Sequence, residues 1–120
     1  MRHILVVDDD PTNRDILQKV LTKEGLFVDE AAGGESAMQM IKTNNYDLIF
    51  LDLMMPDISG YDILNYIRQE CNSQVAVIIV SAFSDVQSRN RALLLGANDY
   101  ITKPINIQLL LTSMRCFLNE

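Results

Sequence analysis

The chain has 120 residues and a mass of 13.6 kDa, room for one domain and not two, and its 48% hydrophobic composition supports an ordinary folded core. Sixteen acidic residues against ten basic ones leave a net charge of −6, so phosphate backbones are repelled and direct nucleic-acid binding is not expected. The longest apolar run, Val75–Val80, is far below the ~18 residues of a spanning helix, and no leader pattern follows Met1, so membrane insertion and secretion are disfavoured.

A rhythm runs along the chain: a short apolar run, a turn signal, then a helical pattern. The first apolar run is Ile4–Val7. A helix is predicted from Pro11 to Glu24, with Asp10 as N-cap, Pro11 at the first helical position and Gly25 just past the end. Its apolar stripe is Ile16, Leu17, Val20 and Leu21. Then come a strand at Phe27–Ala31 and a helix at Gly34–Thr43 carrying Ala37, Met38 and Ile41. The strand Leu48–Leu51 precedes a helix at Tyr61–Glu70 with Ile63, Leu64 and Ile67. The strand Val75–Val80 precedes a helix at Val86–Leu95, stopped by Gly96. A short strand at Asp99–Ile101 and a helix at Ile107–Leu118, with Leu110, Met114 and Phe117 on one face, complete the series.

The third and fourth runs are apolar almost throughout, as strands buried on both faces of a parallel sheet must be. Strands alternating with helices give βαβαβαβαβα and an open doubly wound α/β sheet with right-handed crossovers. A closed eight-fold barrel would need about 250 residues and is excluded by length.

The informative polar residues fall at the carboxyl ends of strands. Asp8, Asp9 and Asp10 follow the first, Asp52 ends the third, Ser81 ends the fourth and Lys103 follows the fifth. In an open parallel sheet these ends share one rim, where ligands bind at the point of strand-order reversal. Taken singly, each has a plain structural explanation: an acidic helix cap, a turn former, a solvated lysine. Their convergence argues for a site, and a very apolar strand delivers Asp52 into it.

Two unit charges ~4 Å apart at an effective dielectric of ~20 interact by about 4 kcal/mol, so carboxylates crowded on one rim need a cation. Lys103 and a bound metal are the candidates. Oxygen ligands without Cys or His select a hard ion, and few carboxylates with open positions suit Mg²⁺. His3 is the only histidine, and Cys71 and Cys116 lack ligand spacing, which argues against zinc and thiol chemistry and for free thiols in a reducing cytoplasm. Magnesium beside a lysine and a hydroxyl suits phosphoryl groups, with Asp52 as nucleophile or base.

With VVDDDP, Asp52 in IFLDLMMPDISG, Ser81–Ala82 and Lys103–Pro104, the whole chain resembles the receiver domain of two-component response regulators. The resemblance implies one receiver unit over residues 1–120. It also implies a (βα)5 doubly wound five-stranded parallel sheet of order 2-1-3-4-5, flavodoxin-like. Asp52 is then the phospho-acceptor. Asp8 and Asp9 are the acidic pair for Mg²⁺, Asp9 directly and Asp8 through water, with Asp52 and the backbone carbonyl of Met54 as further ligands. Lys103 contacts the phosphoryl group, and Pro104 follows a cis peptide bond. Ser81 and Tyr100 are the switch pair, the Tyr100 ring turning from solvent toward the sheet when Ser81 is drawn inward. Gly60 matches the glycine of the loop after the acceptor. Ser81 stands where threonine is equally common, and Asp10 where glutamate is frequent.

The function so implied is a switch that takes a phosphoryl group from a sensor histidine kinase or histidine phosphotransfer protein. The face made by the fourth helix, fifth strand and fifth helix, here including Arg89, Arg91 and Tyr100, would alter its grip on a downstream protein target. A cytoplasmic monomer or weak phosphorylation-dependent dimer is expected, catalysing only its own phosphorylation and dephosphorylation. With no output segment after Glu120, output is expected by protein contact. A metal-dependent phosphohydrolase is the alternative, but the haloacid-dehalogenase-like DxD motif would need Asp where Met54 stands. A flavin carrier would need a hydroxyl- and glycine-rich loop where DDDPTN lies. A receiver that works without phosphorylation would have lost Asp52, Lys103 or the acidic pair.

Overall fold

A computed structural model describes residues 2–118. Strands β1 (His3–Val7), β2 (Phe27–Ala31), β3 (Leu48–Leu51), β4 (Ala76–Ser81) and β5 (Asp99–Thr102) alternate with helices α1 (Pro11–Lys23), α2 (Gly34–Thr43), α3 (Gly60–Asn65), α4 (Val86–Leu94) and α5 (Ile107–Leu118). All neighbouring strands are parallel, in the order β2-β1-β3-β4-β5. This is the expected flavodoxin-like arrangement.

Side-chain alternation along each strand builds two cores. Leu48 and Phe50 of β3 and Ile78 and Val80 of β4 face Leu17 and Leu21 of α1 and Leu110, Met114 and Leu118 of α5. Ile49, Leu51, Val77 and Ile79 face Ala37 of α2, Ile63, Leu64 and Ile67 of the third helical segment, and Ala92 of α4. Strands covered on both faces must be apolar at every position, which explains the unbroken runs.

Caps set the helix starts. Asp10 accepts from the Thr12 N–H at 2.9 Å, Ser59 from Asp62 at 3.3 Å and Asp85 from Ser88 at 2.9 Å. Gly25 ends α1 at φ +85°, where a side chain would strain the backbone.

The structure departs from the pattern beyond one-residue differences at the ends of α1 and α4. Ile16 is 41% exposed, so the buried stripe of α1 is narrower than its four apolar residues imply. The third helix begins at Gly60, and its last stretch, Tyr66–Glu70, is π-helical, with the Cys71 N–H reaching the Tyr66 carbonyl at 3.0 Å. That wider turn holds Arg68 where its guanidinium donates to the carbonyls of Ser73, Val75 and Gly96. β4 starts one residue later than its apolar run, at Ala76, and β4 and β5 each end one residue later, at Ser81 and Thr102, where the Lys103 N–H still bonds the Ser81 carbonyl at 2.8 Å.

Candidate functional site

From β1 the chain goes to β2 on one side, while β3 lies on the other, so strand order reverses at the carboxyl ends of β1 and β3. Val7 and Leu51 are register partners there, and the Asp52 N–H bonds the Val7 carbonyl at 3.0 Å. This pairing sets Asp8, Asp9 and Asp52 side by side. One carboxylate oxygen from each lies within 4.8 Å of the others. Asp8 and Asp52 are 3% and 4% exposed, whereas Asp9 faces solvent.

Lys103 arrives from the far end of the chain. Its Nζ donates to Asp8 Oδ2 at 3.0 Å and to Asp52 Oδ2 at 3.2 Å, bridging the two buried carboxylates. The Lys103–Pro104 bond is cis, as expected. Asp8 Oδ1 accepts the Asp10 N–H at 2.9 Å, and Arg14 Nη1 donates to the Asp8 carbonyl at 2.7 Å. Asp52 Oδ1 accepts the Met54 N–H at 3.2 Å. Burial pushes the Asp52 carboxyl above its ordinary value, opposed by the Met54 N–H and by Lys103. Burial also works against the Lys103 ammonium, but Asp8 and Asp52 outweigh it and raise its pKa.

The donor set fits a hard divalent cation. All three groups are carboxylates, one of them open to solvent, and neither Cys nor His stands among them. Backbone geometry explains how the Asp52 loop approaches so closely: a Cβ on Gly60 would lie 2.3 Å from the Asp52 carbonyl oxygen.

Ser81 ends β4 fully buried, and its Oγ accepts the Phe83 N–H at 3.2 Å. Tyr100 corrects an expectation. Its ring does not face solvent; it is 5% exposed and packed with the α2–α3–α4 core, and its hydroxyl donates to the Phe83 carbonyl at 2.8 Å. A tyrosine can bury its ring when its one polar atom finds a partner, and Phe83 supplies it. Burial raises the Tyr100 hydroxyl pKa accordingly. Arg91 lies 3.9 Å over the Tyr61 ring and so turns toward α3.

Asp57 escapes a motif reading. Its carboxylate accepts the N–H groups of Gly34 at 2.9 Å and Glu35 at 3.0 Å, capping α2 from the loop that follows Asp52. One signal could have found it: a helix starting at Gly33–Gly34 has no side chain of its own for a cap.

Residues 4–115 match the sequence model of the response regulator receiver domain. The transcriptional regulatory protein CusR of Escherichia coli is 36% identical over 117 residues, 98% of this chain and 51% of CusR. A two-component response regulator from Clostridium difficile superposes with a TM-score of 0.95 at 30% identity, covering 100% of this chain and 98% of that one. The response regulator TrrA of Thermotoga maritima, solved in complex with Mg(2+)-BeF, does so with a TM-score of 0.87 at 34% identity, covering 98% and 99%. The chain spans about half the length of the curated relatives it matches.

Proposed function

The chain belongs to the response regulator receiver domain family, and on that premise we propose that Asp52 is its phospho-acceptor, with residues 1–120 acting as one receiver unit. The family is that of phosphorylation-activated two-component switches, signalling modules and not enzymes for an external substrate. Nothing supports a phosphohydrolase.

The observation that carries the assignment is the bridge from Lys103 to Asp8 and Asp52. It gathers one nucleophilic carboxylate, one point cation and an acidic pair at a single rim. In the proposed reaction an Asp52 carboxylate oxygen attacks the phosphorus of a phosphohistidine. The P–O bond forms, the P–N bond breaks, and the imidazole leaves with the electron pair. Asp8 and Asp9 would hold Mg²⁺, which neutralises charge on phosphoryl oxygens; the Met54 carbonyl is the proposed backbone ligand. Lys103 exchanges its carboxylate contacts for a phosphoryl oxygen, and the Ser81 hydroxyl donates to another. Drawing Ser81 toward the phosphoryl group competes with its contact to Phe83, whose carbonyl holds Tyr100. The switch thus reaches the α4–β5–α5 face as a shift in population. Hydrolysis of the aspartyl phosphate at the same site would reset it.

The donor is a sensor histidine kinase or a histidine phosphotransfer protein, and the receiver's output is a downstream protein target. CusR is described as a transcriptional regulatory protein, which supports transcription as the process controlled. Free cysteines support a cytoplasmic setting; among the described residues no helix is long and apolar enough to cross a membrane. Incubation with acetyl phosphate and Mg²⁺ should add one phosphoryl group to wild type and none to Asp52→Asn. Equal labelling of the two would sink the assignment.

A further inference from the structure

Helix α2 cannot cap itself. Its N-cap is Gly33, which has no side chain, yet the first-turn N–H groups need acceptors. Asp57 supplies both oxygens, Oδ1 to Gly34 and Oδ2 to Glu35. The fit is close. A Cβ on Gly33 would lie 3.1 and 3.2 Å from the Asp57 oxygens, and one on Gly34 would lie 2.5 Å from the Ile58 Cβ. Residues 57 and 58 therefore rest directly on the start of α2.

The same loop begins at the acceptor. Asp52 sits at one end and Gly60 at the other, where the Gly60 N–H bonds the Leu53 carbonyl at 3.0 Å and an added Cβ would lie 2.3 Å from the Asp52 carbonyl oxygen. Between them lies Met54, whose N–H fixes one Asp52 oxygen. Leu53 is buried and holds the loop by apolar packing, which tolerates small slides. The Asp57 carboxylate supplies two directional bonds, which do not.

We infer that Asp57 is a positioning residue for the Asp52 site: by capping α2 it fixes the 53–59 loop, and so the Met54 backbone against which the Asp52 carboxylate is set. The inference rests on Asp52 and the acidic pair being the phosphorylation and Mg²⁺ site proposed above. A loop held at both ends presents its backbone to that site without reorganisation; a loop released at Asp57 must order it at each binding event.

A cap alone and a tether can be separated because α2 can be capped another way. Gly33 has φ −166° and ψ 176°, extended backbone open to serine, and the atoms nearest its missing Cβ belong to Asp57 itself. In Gly33→Ser/Asp57→Ala the helix regains a cap from its own chain, while the loop stays untied. Wild type, Asp57→Ala, Asp57→Asn and the double variant are compared by urea midpoint, by Mg²⁺ affinity from NMR titration and by acetyl phosphate labelling rate. Asp57→Ala should lower the midpoint and weaken Mg²⁺ binding about tenfold, the scale seen when a partner supporting a metal ligand is removed. Asp57→Asn, with one acceptor oxygen left, should fall between. The double variant should regain the midpoint but not the Mg²⁺ affinity or labelling rate. Recovery of all three would reduce Asp57 to a helix cap and overturn the inference, as would unchanged Mg²⁺ affinity in Asp57→Ala. Failure of the underlying site would show in wild type itself, as neither Mg²⁺ binding nor labelling, and would take the inference with it.

Discussion

The Tyr100 hydroxyl donates to the Phe83 carbonyl at 2.8 Å, while the Phe83 N–H is bonded to the Ser81 hydroxyl oxygen. Phe83 is therefore held from both sides, by the proposed phosphoryl-sensing hydroxyl and by the buried Tyr100 of β5. Any inward pull on Ser81 is felt by the residue that anchors Tyr100. Tyr100→Phe removes one of these bonds and should cost about 1 kcal/mol, read as a lower urea midpoint. Beryllofluoride with Mg²⁺ should perturb amide shifts over residues 81–91 and 100–106 in wild type. In Ser81→Ala the shifts near Tyr100 should shrink; full-size shifts there would mean that Ser81 is not the relay.

Lys103 bridges the two buried carboxylates of Asp8 and Asp52 and offsets only one of their two charges. Lys103→Ala should fold, but with stability in EDTA reduced by roughly 1–3 kcal/mol, the loss expected of a partly exposed bridge. Mg²⁺ takes over part of that charge, so its stabilising effect should be larger in the variant than in wild type. Melting with and without Mg²⁺ decides this, and an equal gain in the two proteins would mean that the ion and the lysine do not share the site.

Gly60 has no space for a side chain, and what it would strike is backbone: the Asp52 carbonyl oxygen at 2.3 Å and the Leu53 Cα at 2.7 Å. Neither can swing away. Gly60→Ala should destabilise by about 1–3 kcal/mol and displace Asp52, slowing labelling by acetyl phosphate. Wild-type stability together with wild-type labelling would show that the loop gives way more easily than this contact implies.

Asp57 should leave a signature in acid. The N–H groups of Glu35, Gly34 and Ile58 hold its carboxyl at about 2 against an ordinary 3.8. A carboxyl depressed on folding stabilises fully above its unfolded pKa and loses that contribution as pH falls through the folded value. The difference in stability between wild type and Asp57→Ala should be constant from about pH 7 to 5 and shrink between about pH 4 and 2. Chemical denaturation across that range measures it; a gap that persists unchanged at pH 2 would mean that the carboxylate's charge contributes nothing.

The pattern of residues determined what local physics controls. Unbroken apolar runs such as Leu48–Leu51 and Val77–Val80 require burial on both faces, and alternation with capped helices then requires a parallel sheet. Because the carboxyl ends of parallel strands share a rim, the positions of Asp8, Asp52 and Lys103 in the sequence already bring them together. Tertiary structure alone decided which groups satisfy one another. Nothing near Tyr100 in the chain announces that Phe83, 17 residues earlier, will offer its carbonyl. The bare Gly33–Gly34 start shows that α2 needs a cap from elsewhere, but only the fold makes Asp57, 23 residues later, the residue that supplies it. The π turn at Tyr66–Glu70 likewise has no marker in its own residues, since what occupies Arg68 there is a set of carbonyls up to 28 residues away. Periodicity and the caps of α1, α3 and α4 are written along the chain because they act between near neighbours. A buried polar atom must take whichever partner the packed sheet and helices bring within reach, and that choice exists only in three dimensions.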